Sequence, residues 1–340
     1  MIAISIIMPA YNAERYLSVT LDSVVHQKFK DFEIIAINDG SQDGSLEIME
    51  SYKSRIYNLK IINQPNSGVS STRNKGIDLA TGKYICFLDA DDYLSPNYLS
   101  FLYEQAERYQ CDIMCCNYYT FSGHKAIRNE VSCGYTRHVS FADLRVLGHA
   151  TSPCTKLYKR EFILKNDVRF NPESTYGEDY FFNWKLYILT DKTFFSDTPL
   201  YGYRQSLNGA TSKYHPNLIE TYLREYSDLR IFASTNSVLD TELSKEIDGD
   251  LIYRIPAILR MIIRSPFSVS EKIDQLKKLT NSPPMRTAAS LYSEAHYSYI
   301  TRFIIKNNYI RLFIYGIYAE LKLKFHGYVK HKLSAIFSKR

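Results

Sequence analysis

Residues 87–92 read Phe-Leu-Asp-Ala-Asp-Asp, so an apolar stretch from Lys83 to Leu88 runs straight into three carboxylates, Asp89, Asp91 and Asp92. Three anions this close repel one another unless a cation lies between them. A divalent metal that also holds a phosphate-bearing ligand meets that need, because hard cations take oxygen donors. A second apolar stretch, Ile34–Asn38, ends the same way, in Asp39-Gly40. Two strands that each deliver a carboxylate at the carboxyl end describe a nucleotide site on an open α/β sheet.

Other stretches carry side chains suited to the same chemistry. Pro9-Ala10-Tyr11-Asn12 closes the first apolar run, with Asn12 suited to cap the following helix and Glu14 in its first turn. Alone it is a turn; beside the acids it is a floor for a base and a ribose. In Asn38–Ser45, Gly40 and Gly44 permit tight turns. Asp39 emerges there at the strand end, where it could accept the imide N–H of a uracil, and Asp43 is placed to cap the next helix. Asn66–Gly76 opens a helix with Ser67, Gly68 and Ser70, small residues that leave backbone N–H groups open to an anion. Arg73, one turn in, reaches either a phosphate or a carboxylate of the acidic cluster. Much later, Gly177-Glu178-Asp179-Tyr180 sets two acids at the start of an amphipathic helix. There they favour the helix N-terminus electrostatically, or one of them serves as a base.

The elements that must position these residues alternate through the first 116. Strands are predicted at Ala3–Met8, Asp31–Asn38, Leu59–Asn63, Gly82–Leu88 and Asp112–Cys116. Helices are predicted at Asn12–His26, Asp43–Ser54, Ser67–Ala80 and Pro96–Tyr109. Continuous apolar strands alternating with helices imply a parallel sheet covered on both faces, a doubly wound α/β fold. After Asn117 the text loosens into short Tyr-rich pieces, with helices near Phe141–Leu147 and Glu178–Leu189. From about Tyr214 it is helical, broken at Pro283-Pro284. The expected division is therefore a catalytic domain over 1–213 and a helical region over 214–340.

The spacing of Pro9-x-Tyr11-Asn12, Asp39-Gly40-Ser41, Asn66-x-Gly68-x-Ser70-x-x-Arg73-Asn74-x-Gly76 and Asp89-x-Asp91-Asp92 resembles family-2 glycosyltransferases of the GT-A fold. The likeness is to the type that builds bacterial polysaccharide and lipooligosaccharide, and it spans roughly residues 3–205. It implies a Rossmann-like, doubly wound mixed sheet followed by a C-terminal helical region. It also implies transfer of one hexosyl or N-acetylhexosaminyl group from a UDP-sugar, with inversion, assisted by Mn2+ or Mg2+. Carried over residue by residue, it gives Pro9, Ala10, Tyr11, Asn12, Glu14, Asp39, Gly68, Arg73, Asp89, Ala90, Asp91 and Arg204 to the nucleotide sugar. Within that set Asp39 resembles the uracil-binding acid, Asp91 the metal ligand, and Asp89 its partner on the ribose side, with Asp92 supporting them. Asp179 resembles the general base that takes the acceptor proton, and Glu178 a residue that positions the acceptor. Tyr203-Arg204 and Asn208-x-x-Thr211-Ser212 resemble a loop that lies over the donor diphosphate. One stretch departs from the pattern. Cys154-Thr155 stands where many relatives carry Trp-Asn, although Lys156-Leu157-Tyr158 still matches. That leaves acceptor specificity open, not the reaction.

Two other functions compete with this one. A sugar nucleotidyltransferase would carry a Gly-rich basic loop after the first strand, where this chain has Pro9-Ala10-Tyr11-Asn12. A nucleotide-sugar-binding module without transferase activity would not need Asp91 and Asp179. The Gln-x-x-Arg-Trp pattern of processive synthases is also missing, the one Trp being Trp184 in another context.

The chain has 340 residues, 45% of them hydrophobic and 23% charged, a balance that excludes a disordered or low-complexity protein. Its six cysteines, Cys86, Cys111, Cys115, Cys116, Cys133 and Cys154, lack paired zinc spacing and read as free core thiols. Residues 2–8 are apolar but carry no signal-peptide flanks. The longest apolar run near the C-terminus, Leu312–Ala319, is eight residues, against about 20 for a membrane span. A cytoplasmic protein is expected. From Thr301 to Arg340 there are nine Lys/Arg and one acid, Glu320, so this tail carries +8 of a whole-chain +6 and residues 1–300 carry −2. Ile310, Phe313, Ile314, Ile317, Leu321, Phe325 and Tyr328 follow helical spacing, with Lys324 and Lys332 on the same face. A basic amphipathic helix reads as a peripheral anchor on the anionic inner leaflet, which suits a lipid-linked glycan acceptor. Packing on its own domain or against a second copy in a homodimer is the competing account. No nucleic-acid motif accompanies the charge.

Overall fold

The computed structural model describes residues 2–122, 125–127, 136–138, 143, 152–174, 176–205, 217–291, 298–318 and 320–322. The chain divides into two compact units, Met1–Ser212 and Lys213–Arg340.

The first unit is built on four parallel strands, β1 (Ile4–Ala10), β2 (Phe32–Asp39), β3 (Leu59–Gln64) and β4 (Tyr84–Phe87), in the order β3-β2-β1-β4. Every residue of β1, β2 and β4 is buried, as strands covered on both faces must be. The helices between them are α1 (Glu14–Val25), α2 (Ser45–Ser51) and α3 (Val69–Leu79). Leu17, Leu21 and Val24 give α1 its buried stripe at helical spacing. Helix α3 lies unusually close to β1 because of Gly76, where a Cβ would sit 2.2 Å from Ile7 Cγ2.

Beyond β4 the sheet turns mixed. After the short β5 (Tyr93–Leu94) and α4 (Tyr98–Tyr109) come β6 (Ile113–Ser122), β7 (Lys125–Ile127), β8 (Thr136–His138), β9 (Lys156–Lys159), α5 (Arg160–Lys165), α6 (Glu178–Tyr187) and β10 (Thr193–Arg204). The order continues β4-β9-β6-β10-β5, with β7 on β6 and β8 on β10. The predicted fifth strand, now β6, does not pair with β4. Strand β9 enters between them, antiparallel to both. Sequence alternation cannot show such an insertion, because its partners lie far apart along the chain. The helix expected at Phe141–Leu147 lies outside the described residues apart from Asp143.

An aromatic cluster stands behind this junction. Phe170 stacks on Phe182 of α6 at 3.9 Å between centroids and meets Phe87 of β4 edge-on at 5.3 Å. Tyr158 of β9 meets Phe87 at 5.9 Å. These rings fix the start of α6 relative to the end of β4. Cys86, Cys111, Cys115, Cys116 and Cys154 are free and buried; Cys133 lies outside the described residues.

The second unit is helical: α7 (Leu218–Thr235), α8 (Thr241–Arg264), α9 (Val269–Asn281), α10 (Pro283–Leu291), α11 (Ser298–Ile305) and α12 (309–318 and 320–322). Pro283 opens α10 directly after α9 ends, a position where its missing N–H costs nothing. Among the described residues no helix is long and apolar enough to cross a membrane.

Candidate active site

The loops after β1 and β2 are sewn together by reciprocal bonds. Asn12 takes a left-handed φ of 50° and does not cap α1, whose N-cap is Ala13. Its Oδ1 instead accepts from the Gln42 N–H at 2.8 Å, and its own N–H donates to Ser41 Oγ at 3.0 Å. Glu14 N–H donates to Asp43 Oδ2, while Glu14 Oε2 accepts from the Gly44 N–H, both at 3.0 Å. Asp43 is likewise not the N-cap of α2, which is Gly44. Pro9 and Ala10 are buried in β1, and Tyr11 stands exposed above this seam.

Asp39, at the end of β2, holds the β3–α3 loop. Its Oδ1 accepts from Gln64 Nε2 at 2.8 Å and from the Ser67 N–H at 2.9 Å. Its Oδ2 accepts from the Gly68 N–H at 2.9 Å. Burial alone would push this carboxyl up, but the donors from Gln64 and Ser67 outweigh it and hold it down. With one bond on Oδ2, a lone pair remains for a further N–H. Gly68 has φ 85°, in the left-handed region, which turns the chain into α3.

Arg73, on α3, is buried and spans the two acidic ends. Its Nη2 donates to Asp89 Oδ1 at 3.0 Å, and its Nη1 donates to Asp179 Oδ1 at 2.5 Å, with Glu178 Oε1 at 3.9 Å. The guanidinium also sits 5.3 Å from the centre of the Phe170 ring. The next residue, Asn74, latches the same segment: its Nδ2 donates to the Phe170 carbonyl at 2.8 Å and its Oδ1 accepts from the Phe170 N–H at 2.9 Å.

The three acids after β4 have three different surroundings. Asp89 pairs with Arg73. Asp92 is buried and structural: its Oδ2 accepts from the Tyr201 hydroxyl at 2.6 Å and its Oδ1 from the Arg204 N–H at 2.7 Å. Burial, then the charges of Asp89 and Asp91, push its carboxyl well up. No described side chain bonds the Asp91 carboxylate, which burial and then the charge of Asp89 push up to about 6. Ala90 is buried, its carbonyl accepting from Thr20 Oγ1 at 2.9 Å. Arg204 reaches this turn from behind. Its Nε donates to the Asp91 carbonyl at 2.6 Å, and its guanidinium lies 4.6 Å from the Tyr16 ring and 4.3 Å from the Phe121 ring. The residues 208–212 that follow it in sequence lie outside the described residues.

Asp179 stands in the first turn of α6, after Gly177 at φ 83°. Although 29% of its side chain is open, burial pushes its carboxyl up first. Arg73 opposes that shift and Glu178 and Asp89 add to it, leaving it at about 7. The turn is pinned by Asn183, whose Nδ2 donates to the Asp179 carbonyl at 2.9 Å and whose Oδ1 accepts from the Tyr158 hydroxyl at 2.6 Å. On β9, buried Lys156 donates to the Ser152 carbonyl, and burial lowers its pKa.

Among the described residues no group of three or more His, Cys, Asp or Glu side chains encloses a metal site. Asp89 and Asp91 offer oxygen donors only, and no described side chain bonds the carboxylate of the second. Such a pair suits Mg2+ or Mn2+ completed by ligand phosphates and water, and it does not suit zinc.

Sequence reasoning missed Tyr201, Asn183 and the Asn74–Phe170 latch. Tyr201 had a signal, since it lies two residues before Tyr203 on one strand face. The others depend on contacts across long sequence separations.

A mixed sheet with acids at the carboxyl ends of its parallel strands, linked through Arg73 to an acid on a helix, is the arrangement of a glycosyltransferase of the GT-A class. Comparison with known proteins agrees. A family model described as Glycosyl transferase family 2 matches residues 5–165. EpsH of Bacillus subtilis (strain 168) is 31% identical over 258 residues, 74% of this chain and 74% of its own. The uncharacterized glycosyltransferase EpsJ of the same organism is 29% identical over 293 residues, 84% of this chain and 85% of its own. The crystal structure of S. aureus TarS 1-349 superposes with a TM-score of 0.73 at 20% identity, over 95% of this chain and 92% of that one. The chain belongs to glycosyltransferase family 2, and it is a glycosyltransferase with a GT-A fold.

Proposed function

We propose that the protein moves a single hexosyl or N-acetylhexosaminyl group, with inversion, from a UDP-sugar to a hydroxyl of a lipid-linked glycan. The observation that carries this reading is the Arg73 bridge, which sets Asp89 and Asp179 on its two arms at 3.0 and 2.5 Å. One end of that bridge suits a leaving group and the other an attacking group. TarS has been crystallised in complex with UDP and with UDP-GlcNAc, which supports a UDP-linked donor here.

In this reading the uracil imide N–H uses the remaining lone pair of Asp39. The seam of Pro9, Ala10, Tyr11, Asn12 and Glu14 forms the floor under base and ribose. The Gly68 end of α3 and Arg73 face the diphosphate, and Arg204 supports the Asp91 turn from behind. Asp91, with Asp89, would hold Mn2+ or Mg2+, and the ion would supply positive charge against the departing diphosphate. The acceptor hydroxyl attacks the anomeric carbon from the side opposite the diphosphate while Asp179 takes its proton. The bond from carbon to phosphate oxygen breaks, and UDP leaves with the electron pair. Glu178 orients the acceptor. Donor binding and catalysis belong to residues 1–213. Work on a lipid-linked acceptor places the protein at the cytoplasmic face of the membrane, held there by the basic region 301–340.

A screen of UDP-, GDP- and dTDP-sugars, reading released nucleotide, is expected to single out UDP-linked donors. UDP is expected to bind more tightly with Mn2+ than with EDTA. Equal affinity in both would remove the metal role from Asp91.

A further inference from the structure

Helix α12 has two unlike faces, and among the described residues only one of them is buried. Asn308 starts it, its Oδ1 accepting from the Arg311 N–H at 3.2 Å. At about 100° per residue, Leu312, Gly316 and Glu320 share one side, and all three are buried. Gly316 lets that side approach α8 closely, since a Cβ there would lie 3.0 Å from Ile263. Glu320, the one acid after residue 300, is only 5% exposed and accepts from Arg264 Nε at 2.8 Å. The domain-packing account of this helix therefore holds for that side.

The opposite side is apolar and open. Ile310, Ile314 and Leu321 are 67%, 58% and 60% exposed, and Ile317 lies among them at 37%. These four fall within an arc of about 60°. Tyr318 borders the arc, and beyond it on the same flank stand exposed Arg311 and Lys322. Phe313, counted with the apolar stripe from spacing alone, is half-buried at its edge. Phe325 and Tyr328 lie outside the described residues.

We propose that the Ile310–Ile314–Ile317–Leu321 face of α12 is the surface that enters an anionic membrane, with Tyr318, Arg311 and Lys322 at the headgroup level. This rests on the proposed work at a membrane surface and names the face that performs it. Lipid is the occupant because of charge. The exposed ionic groups over 301–322 are Arg302, Lys306, Arg311 and Lys322, all basic, and the one acid is turned inward and paired. Residues 323–340 add five more basic residues and no acid. An apolar arc flanked by cations is the pattern of helices that lie in the lipid interface, whereas a second copy of this same basic face would meet it with like charge.

The test is co-sedimentation of the full chain with vesicles of phosphatidylcholine alone or mixed with phosphatidylglycerol. Wild-type protein is expected to sediment with the mixed vesicles and to be released by salt. I314E/L321E is expected to lose about tenfold in partitioning per substitution. Arg311→Gln and Lys322→Gln are each expected to cost about fivefold on anionic vesicles and nothing on neutral ones. Ile231→Glu, at an exposed apolar position on α7, is expected to change nothing. All these sites are exposed, so thermal midpoints should match wild type. Sedimentation of I314E/L321E equal to wild type overturns the proposal. So does a wild-type dimer in the ultracentrifuge that becomes monomeric in I314E/L321E while vesicle binding is unchanged. Released UDP from donor hydrolysis is measured in parallel. Turnover without vesicle binding sinks this surface and leaves the catalytic reading intact, and vesicle binding without turnover does the reverse.

Discussion

At the amino end of the parallel strands, Glu33 is buried among donors that all face it. Ser5 Oγ donates at 2.6 Å, the Thr81 N–H and Oγ1 at 2.7 Å each, and Lys60 Nζ lies 2.7 Å from the other oxygen. Burial pushes this carboxyl up, but Lys60, Ser5 and Thr81 outweigh it and hold it at about 2. At the carboxyl end of the same sheet, Asp91 is pushed up to about 6, and Asp179, across from it on α6, to about 7. The same fold thus completes the bonding of one buried acid and leaves others short. Bonds completed at Glu33 tie three strands together. No described side chain bonds the Asp91 carboxylate, and the Asp179 carboxyl stays raised in spite of its bond to Arg73, so in the proposed reading the first suits a cation and the second a proton. In the proposed reading, the difference separates what holds the sheet from what works on a substrate.

Replacing a carboxylate by its amide at each end breaks that comparison most directly. Asp179→Asn is expected to lower the transfer rate by about 10²–10⁴-fold, the usual contribution of a positioned base. Its thermal midpoint at pH 8 should equal or exceed wild type, since a raised carboxyl is one whose ionisation the folded state disfavours. Transfer at the wild-type rate by folded protein would take the base role from Asp179.

Glu33→Gln is expected to behave in the opposite way. A carboxyl held at about 2 against an ordinary value of 4.5 corresponds to about 3 kcal/mol of stability at neutral pH. Because the folded pKa is depressed, that stability is present above about pH 4.5 and is lost as pH falls towards 2. Urea unfolding at pH 7 should show the loss, while turnover of the folded fraction stays within about twofold, since Glu33 contacts no site group. A stable Glu33→Gln with reduced turnover would erase the distinction between the two ends.

Legibility in the sequence was unequal across the same two ends. The acids at the strand ends were visible because apolar runs that stop in Asp39 and Asp89 leave charge where strand packing has no use for it, and β1–β4 followed from unbroken apolar text. Glu33 was not singled out, because a lone acid inside an apolar strand shows no partners in sequence. Its donors lie 28 positions back at Ser5 and 48 ahead at Thr81. For the same reason the antiparallel entry of β9 and the Asn74–Phe170 latch were not legible. Arg73 was legible only as a choice between a phosphate and a carboxylate, and its two arms on Asp89 and Asp179 emerge from the packing of α3 against Phe170.

That bridge yields the finest test of the comparison. Asp179 stays near 7 rather than higher because Arg73 opposes its burial. For a base, activity requires the ionised form, so the wild-type rate should fall about tenfold per pH unit below that value. Removing the cation in Arg73→Gln favours the protonated carboxyl, so the acid limb of kcat should move up by about one unit. The loss would then be about fivefold at pH 7, approach tenfold well below it, and narrow as pH rises past the displaced limb. A role for Arg73 confined to packing, or to holding the diphosphate, predicts instead a loss that is the same at every pH, with the limb where wild type has it. A limb that stays in place would mean that the shortage of donors at the carboxyl end is not tuned by Arg73, and that burial alone sets the state of the base.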